Sequence, residues 1–181
     1  MDRKQRPART KLFVGCTLLM LITLCGCANN SQEAKSRPKY GSNLGKPTAT
    51  HTDFATLTSR ADQLQALPLT YTVGGVSIKS RNWIFAHAKS RIEYSLPAGQ
   101  FSTLSFEMGL DDVSGADHGS VVYIVQGDGR ELFRSSVIKP MAPPMPASVD
   151  IKGVKVLILV VDDASDGIAS DEAYWIDLRG K

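Results

Sequence analysis

An apolar run near the C-terminus most constrains the fold of this chain. Val154 to Val161 is almost unbroken Val, Leu and Ile, and β-branched residues over this length favour a strand that is buried on both faces. A short buried helix is the alternative, because an apolar run has no period that separates the two. Gly153 before the run and the Asp-, Ser- and Gly-rich segment 162–167 after it are typical boundaries of a strand. We therefore predict a core strand, an acidic rim and a closing strand that ends near Leu178.

The residues before this run show the two-residue alternation of half-buried strands. Apolar and polar residues alternate over 91–96 and again over 103–108. Two glycine-containing turns predict hairpins: Gly74-Gly75 between 69–73 and 76–78, and 127–129 between 121–126 and 131–137. A stiff crossing loop is expected before a strand at 149–151, since four prolines precede it: Pro140, Pro143, Pro144 and Pro146.

The number and spacing of these segments decide the fold class. Eight or more short strands with turn signals between them predict an all-β, antiparallel β-sandwich. Phe54 to Leu67 is the one segment with helical character, ended by Pro68, and an opening strand is the alternative.

The first 27 residues have the features of an export signal. Five basic residues and one acidic residue give the first eleven positions a charge of +4, and an apolar run of 13 residues follows, Leu12 to Leu24. That run matches a secretory h-region and is short for a membrane span; an uncleaved anchor helix is the alternative. Because the whole chain has a net charge of +3, the remainder carries −1. Charge therefore does not support a nucleic-acid-binding body.

The residues Leu24-Cys25-Gly26-Cys27 resemble a bacterial lipobox. Leu24 lies three residues before the cut and Gly26 lies directly before it, so that Cys27 is the lipidated residue. Ala28 follows instead of Asp, which in lipoproteins of two-membrane bacteria favours the outer membrane over the inner one. We therefore expect an exported protein, lipid-anchored to the cell envelope, in which acyl chains contribute about 0.8 kcal/mol per buried methylene.

The chain then divides into a tether and a body. Residues 28–50 are rich in Asn, Ser, Lys, Gly, Pro and Thr, and such a segment buries too little apolar surface to fold. Residues 51–181 form the predicted sandwich domain. All three cysteines lie in the export region 1–27, so the body has no disulfide and no Cys-ligated metal.

A family resemblance becomes visible when the body's motifs are taken in order. They are Gly74-Gly75, Phe85-Ala86-His87-Ala88, Gly109-Leu110-Asp111, Gly119-Ser120-Val121, Asp128-Gly129, Ser135, Leu157 to Val161, Asp166-Gly167, and Ser170-Asp171 to Trp175. Their order and spacing over Leu69 to Leu178 resemble the NPCBM domain, a carbohydrate-binding module attached to glycoside hydrolases of family 98. The resemblance implies a galactose-binding-like β-sandwich, or jelly roll, that binds sugars and has no catalytic activity.

The chain departs from the family pattern at three positions. Phe85 stands where the family usually has Gly, and Glu172 and Tyr174 replace the His and Asp of the family's Asp-His-Ala-Asp-Trp. These departures leave the choice of ligand open.

A sugar site needs an aromatic face and groups that hydrogen-bond hydroxyls. The candidates are Trp175, Tyr174, Asp171, His87, Arg91 and Asp111. Core packing is an equal alternative for Trp175, since large aromatic side chains are mostly buried. For His87, which lies between two alanines, a hydrogen-bonded structural role is the alternative.

The acidic rim also raises the question of a metal. An EF-hand is excluded, because placing Gly167 at its sixth position puts Ala164 and Ala173 at ligand positions. A looser Ca²⁺ site that uses Asp162, Asp163 and Asp166, or Asp171, is one interpretation, and a solvated acidic turn is the other.

Catalysis is not expected from the carboxylates. Asp111 with Asp112 and Asp171 with Glu172 are adjacent pairs, and neighbours on a strand point to opposite faces. We therefore predict a membrane-anchored, non-catalytic module that binds a glycan of the galactose type. The alternative is an assembly lipoprotein whose sandwich binds a protein and has lost the sugar site.

Overall fold

The computed structural model describes residues 42–52, 58–59, 71–112 and 119–181. These ranges contain twelve β-strands and no α-helix: β1 Ala49–Thr52, β2 Thr58–Ser59, β3 Thr72–Val73, β4 Val76–Ser77, β5 Trp83–Phe85, β6 Ser90–Ser95, β7 Thr103–Leu110, β8 Val122–Gly127, β9 Arg130–Arg134, β10 Met145–Asp150, β11 Val156–Asp162 and β12 Ala173–Gly180. Within the same ranges, no helix has the length and apolar character needed to cross a membrane. The export segment 1–27 and most of the tether lie outside the described residues. So does Phe54 to Leu67, apart from Thr58–Ser59, which is a strand.

Two five-stranded antiparallel sheets face each other. The first, sheet A, has the order β1-β6-β11-β8-β9, and the second, sheet B, has the order β10-β7-β12-β5-β2. The apolar run forms β11 at the centre of sheet A, hydrogen-bonded to β6 on one side and β8 on the other. The predicted antiparallel sandwich and its core strand are thus confirmed, and the helical alternative for this run is wrong.

Both predicted hairpins form, and the proline segment differs in detail. Gly74-Gly75 joins β3 to β4, and Asp128-Gly129 joins β8 to β9. Strand β10 begins earlier than predicted, at Met145, and includes Pro146. Because β10 is an edge strand of sheet B, the nitrogen of Pro146 needs no ladder partner.

The main core lies between the two sheets. Alternate residues of β6, β7 and β11 point into it, including Tyr94, Phe106 and Leu159. Trp175 lies at its centre and is 0% exposed. Its ring packs edge-to-face against Phe106 and Tyr123, with centroids 5.0 and 4.8 Å away.

A second, smaller core covers the outer face of sheet B. The β3–β4 hairpin and Ile78 pack over outward-facing side chains of β5 and β12, among them Trp83, Phe85, Tyr174 and Ile176. Val73 approaches Gly109 so closely that a Cβ at Gly109 would overlap its side chain. Strands β5 and β12 are therefore buried on both faces.

The Tyr123 hydroxyl connects the two sheets. Tyr123 belongs to sheet A, but its oxygen lies between Gly109 of β7 and Tyr174 of β12, which are register partners in sheet B. It accepts from both backbone N–H groups, at 3.2 and 3.0 Å, and its single proton has two carbonyl acceptors, at 2.7 and 2.9 Å. Burial raises the pKa of Tyr123 well above its usual range, so the neutral hydroxyl is the form that serves these groups.

Removing this hydroxyl should destabilise the fold more than removing another buried tyrosine hydroxyl. Tyr123→Phe leaves buried backbone groups of β7 and β12 without a partner, and each such group costs about 1 to 3 kcal/mol. The control is Tyr94→Phe, because the Tyr94 hydroxyl lies beside the Ser42 side chain and bonds no backbone group. Urea unfolding of both variants measures the difference; equal losses would contradict the bridging role.

Candidate functional site

One end of the sandwich collects most of the acidic side chains of the body. Strands β5, β7 and β11 end there, and β6, β8 and β12 begin there, because antiparallel neighbours run in opposite directions. We call it the carboxylate end. Its acidic residues are Asp111, Asp112, Asp162, Asp163, Asp166, Asp171 and Glu172.

Asp171 connects three segments at this end. Its side chain is 0% exposed, its Oδ1 accepts from the Ser120 N–H at 3.0 Å, and its carbonyl accepts from the Ala88 N–H at 3.3 Å. Gly119 permits this approach, because a Cβ there would overlap the Ser170 carbonyl oxygen. The other carboxylate oxygen, Oδ2, has no hydrogen-bond partner among the described residues.

The environment of Asp171 favours its neutral form. Burial raises the pKa of Asp171 to about 7, against the effect of the Ser120 N–H, and the charges of Asp166, Asp163 and Glu172 raise it further. Asp171 therefore titrates near neutral pH.

A more accessible rim surrounds Asp171. Asp166 is exposed and accepts from the Ser120 hydroxyl at 2.6 Å. The Lys89 ammonium lies 3.3 Å from Asp163 Oδ2, and the Lys89 side chain is 51% exposed. Burial disfavours the charged form of Asp163, but the Ser165 N–H and Lys89 outweigh it and hold the pKa of Asp163 below its usual range. The rim thus offers both an ammonium donor and carboxylate acceptors.

The adjacent acids Asp111 and Asp112 serve different partners. Asp112 accepts from the N–H groups of Gly74 and Gly75, at 2.7 and 2.8 Å, and so holds the tip of the β3–β4 hairpin. Asp111 is 0% exposed and accepts from the Tyr174 hydroxyl at 3.3 Å. The two carboxylates therefore do not address a common space, as the strand geometry predicts.

Four of the six predicted sugar contacts lie together at the carboxylate end, but all four are buried. They are Asp171, Asp111, Tyr174 and His87. The His87 side chain is 2% exposed, with Nδ1 2.6 Å from the Ala88 carbonyl oxygen, which is the structural role considered above. Arg91 lies apart, on the outer face of sheet A, where it pairs with Glu93 at 3.1 Å.

The expectation that Trp175 stacks on a sugar is contradicted by its position. Its ring is enclosed in the main core and has no exposed face. Tyr174 lies on the opposite side of the same sheet, in the second core. Adjacent strand residues alternate between faces, so these two rings cannot line one binding surface.

Two of the three departures from the family pattern compensate each other. Phe85 and Tyr174 are register partners on β5 and β12, and their ring centroids lie 5.8 Å apart in the second core. Glu172, the third departure, is half-buried at the carboxylate end. Only Glu172 therefore changes the polar groups that the rim offers.

The described residues do not support the calcium site considered for Asp162, Asp163 and Asp166. In the ranges that the structure covers, no group of three or more His, Cys, Asp or Glu side chains is arranged to hold a metal ion. Asp163 faces Lys89, and its Oδ1 accepts from the Ser165 N–H at 3.1 Å. The Asp162 Oδ1 accepts from the Asp163 N–H at 3.0 Å. These carboxylates stabilise the turn instead of converging on one point.

Comparison with known proteins agrees with this architecture. The NPCBM/NEW2 domain family matches residues 53–180. The chain belongs to this family. No curated protein matches the chain.

Solved structures similar to this NPCBM/NEW2 chain are carbohydrate-binding modules. One is the CBM51 module of Clostridium perfringens GH95 in complex with methyl-galactose, with 25% identity, a TM-score of 0.62 and coverage of 74% of this chain and 92% of that one. Another contains CBM51-2 of C. perfringens ZmpB in complex with GlcNAc, with 22% identity, a TM-score of 0.59 and coverage of 74% and 29%. A third is the tandem CBM51 pair of Sp3GH98 from Streptococcus pneumoniae, with 15% identity, a TM-score of 0.57 and coverage of 74% and 44%. The galactose-binding-like sandwich is thereby confirmed, and the modules it resembles are non-catalytic.

Sequence reasoning missed two polar residues of the NPCBM/NEW2 rim, Lys89 and Ser120. Lys89 directly follows the His87-Ala88 motif, and Ser120 lies within a quoted family motif. Their roles depend on contacts with Asp163 and Asp166, more than 40 residues away. Only the strand order brings these segments together.

The stability of the NPCBM/NEW2 domain should depend on the protonation of Asp171. The pKa of Asp171 is about 7 in the folded state and about 3.9 in an unfolded chain, so the folded state binds the proton more tightly. This stabilisation is complete below pH 4 and is lost as the pH rises through about 7. Urea unfolding between about pH 4.5 and pH 8 should show that loss in the wild type and much less of it in Asp171→Asn. Asp166→Asn, an exposed neighbour, is the control, and an Asp171→Asn curve parallel to the wild type would contradict the assignment.

Proposed function

We propose that this protein is an exported, lipid-anchored module that binds glycans of the galactose type at its carboxylate end and catalyses no reaction. The main support is the similarity to the CBM51 module in complex with methyl-galactose, at 25% identity over most of both chains. Family membership over residues 53–180 supports the same class of ligand.

The accessible polar groups of the carboxylate end suit sugar hydroxyls. Lys89 donates hydrogen bonds, while Asp166 and Glu172 accept them, and charge-assisted bonds to hydroxyls are the strong ones. Beneath them, the buried bonds of Asp171 and Ser120 fix the backbone that carries the rim. Both tryptophans are buried, Trp83 at 4% and Trp175 at 0% exposure, so hydrogen bonding supplies the recognition we propose.

The proposed absence of catalysis follows from how the carboxylates are used. Glycoside hydrolysis needs two carboxyl groups on either side of one bond, roughly 5 to 10 Å apart. Asp112 is engaged with the hairpin, and Asp111 and Asp171 are enclosed. Among the described acids of this end, the exposed carboxylate of Asp166 is instead held by Ser120.

A protein-binding role in assembly is the second candidate function. The lack of an exposed tryptophan platform favours it, since aromatic faces commonly hold the apolar side of a sugar. The compensating pair Phe85 and Tyr174 does not favour it, because both residues act in packing. Capture of one stoichiometric partner that free galactose does not displace would select this candidate.

Sugar binding should depend on the rim carboxylate Glu172 and on Lys89. Glu172→Gln and Lys89→Met each remove a charged hydrogen-bonding group, which is worth about 1.5 to 3 kcal/mol, or roughly tenfold or more in Kd. Calorimetric titration of the full-length protein with methyl-galactose, followed by a glycan array, provides the measurement. Glu131→Gln is the control, because Glu131 is an exposed acid on β9 that pairs with Arg134. A folded wild type that binds no glycan would refute the proposal.

Acylation of Cys27 is the second part of the proposal and has its own test. The apolar run 12–24 and the lipobox residues 24–27 support it. Mass spectrometry of the mature protein from a bacterial host should find an N-terminal Cys27 that carries acyl chains. Cys27→Ala should abolish the acylation and leave the N-terminus unprocessed, whereas Cys25→Ala should leave the acylation in place.

A further inference from the structure

The end of the sandwich opposite the carboxylate end is basic. Strands β6, β8, β10 and β12 finish there, and β1, β7, β9 and β11 begin there. Six basic residues lie in or next to the segments at this end, and all are exposed: Lys46, Arg130, Lys152, Lys155, Arg179 and Lys181. We call this surface the basic end.

The positive charge of the basic end is largely uncompensated. Its acidic residues are Asp128 and Asp150, and both cap backbone groups: Asp128 accepts from the Lys155 and Val156 N–H groups, and Asp150 accepts from the Lys152 N–H. None of the six basic side chains forms an ion pair with another described residue. By contrast, Lys89 and Arg134, which lie towards the carboxylate end, are both paired.

The described chain also begins at the basic end. Asn43 exchanges two hydrogen bonds with Gly180 of β12, at 2.8 and 2.7 Å, and the Thr48 N–H donates to the Glu93 carbonyl of β6. Residues 28–41 are 14 residues, and a flexible chain of that length spans about 20 Å. An acyl group on Cys27 would therefore hold this end, and not the carboxylate end, close to a membrane.

We propose that the basic end docks on the anionic headgroups of a lipid bilayer, so that the carboxylate end faces away from the membrane. The inference rests on the proposed membrane attachment. Anionic lipid surfaces attract exposed Lys and Arg side chains that lie within about 10 Å of them, and the same field repels the seven acidic residues of the carboxylate end. Attraction at one end and repulsion at the other select a single orientation.

Lysine reactivity on vesicles tests the docking surface. Full-length protein with Cys27→Ala, which has no acyl chain, is bound to vesicles of phosphatidylcholine with or without phosphatidylglycerol, and lysine acetylation is followed by mass spectrometry. Acetylation of Lys152, Lys155 and Lys181 should slow about fivefold or more on the anionic vesicles only. Lys139 is the internal control, because it is exposed next to Ile138, which bridges to Val121 at the start of β8. Equal protection of Lys139, or no difference between the vesicles, would overturn the inference.

A matched pair of charge reversals separates this surface from the N-terminal segment, which is also basic. Lys155→Glu should weaken binding to the anionic vesicles at least fivefold, whereas Lys139→Glu should leave it unchanged. Equal effects of the two variants would overturn the inference. So would protection by soluble polyphosphate as strong as that by vesicles, which would show a general polyanion site. Methyl-galactose binding and acylation of Cys27 are measured independently, so failure of the docking surface is distinguishable from failure of the proposed function.

Discussion

The Tyr123 hydroxyl is the interaction on which most of this structure depends. It extends from sheet A across the core and replaces direct contact between β7 and β12 at Gly109 and Tyr174. Two rings are fixed in consequence. Trp175 packs against the Tyr123 ring, and Tyr174 is directed to the other face of sheet B. Strand β12 is thereby placed with Asp171 just before it, and the carboxylate end inherits its geometry from a bond made inside the core. A polar group in a low-dielectric interior can hold this role only because every group around it has a partner.

The surface charge of the sandwich is separated along the direction of its strands. One end carries seven acidic residues and the other carries six exposed basic residues, although the body as a whole is nearly neutral. The net charge of the chain conceals this separation, since it adds the two ends together. A module of this kind behaves as a dipole near any charged surface, and its orientation is then a property of the fold.

The sequence predicted the sandwich well because its signals are local. The alternation in 91–96 and 103–108, the two glycine hairpins and the apolar run of β11 each reflect a strand that is buried on one or both faces. The short strand β5 was missed, because three apolar residues, Trp83 to Phe85, have no period. The site was predicted less well. Asp171, Asp111 and His87 were correctly assigned to one region, but their burial depends on the packing of β7, β8 and β12. Trp175 was assigned to the wrong surface, because composition alone does not say which face of a doubly buried strand an aromatic residue takes.

The bonds between Asn43 and Gly180 have a mechanical consequence. If the chain is held through residues that precede Ser42 and a glycan is held at the opposite end, tension enters and leaves the sandwich at its two ends. The load then runs parallel to the strands. Hydrogen bonds of antiparallel ladders lie perpendicular to the strands, so rupture requires many of them to shear together instead of opening one after another. Such a module is suited to hold a cell against flow, with the strength of adhesion limited by the sugar contacts and not by the fold.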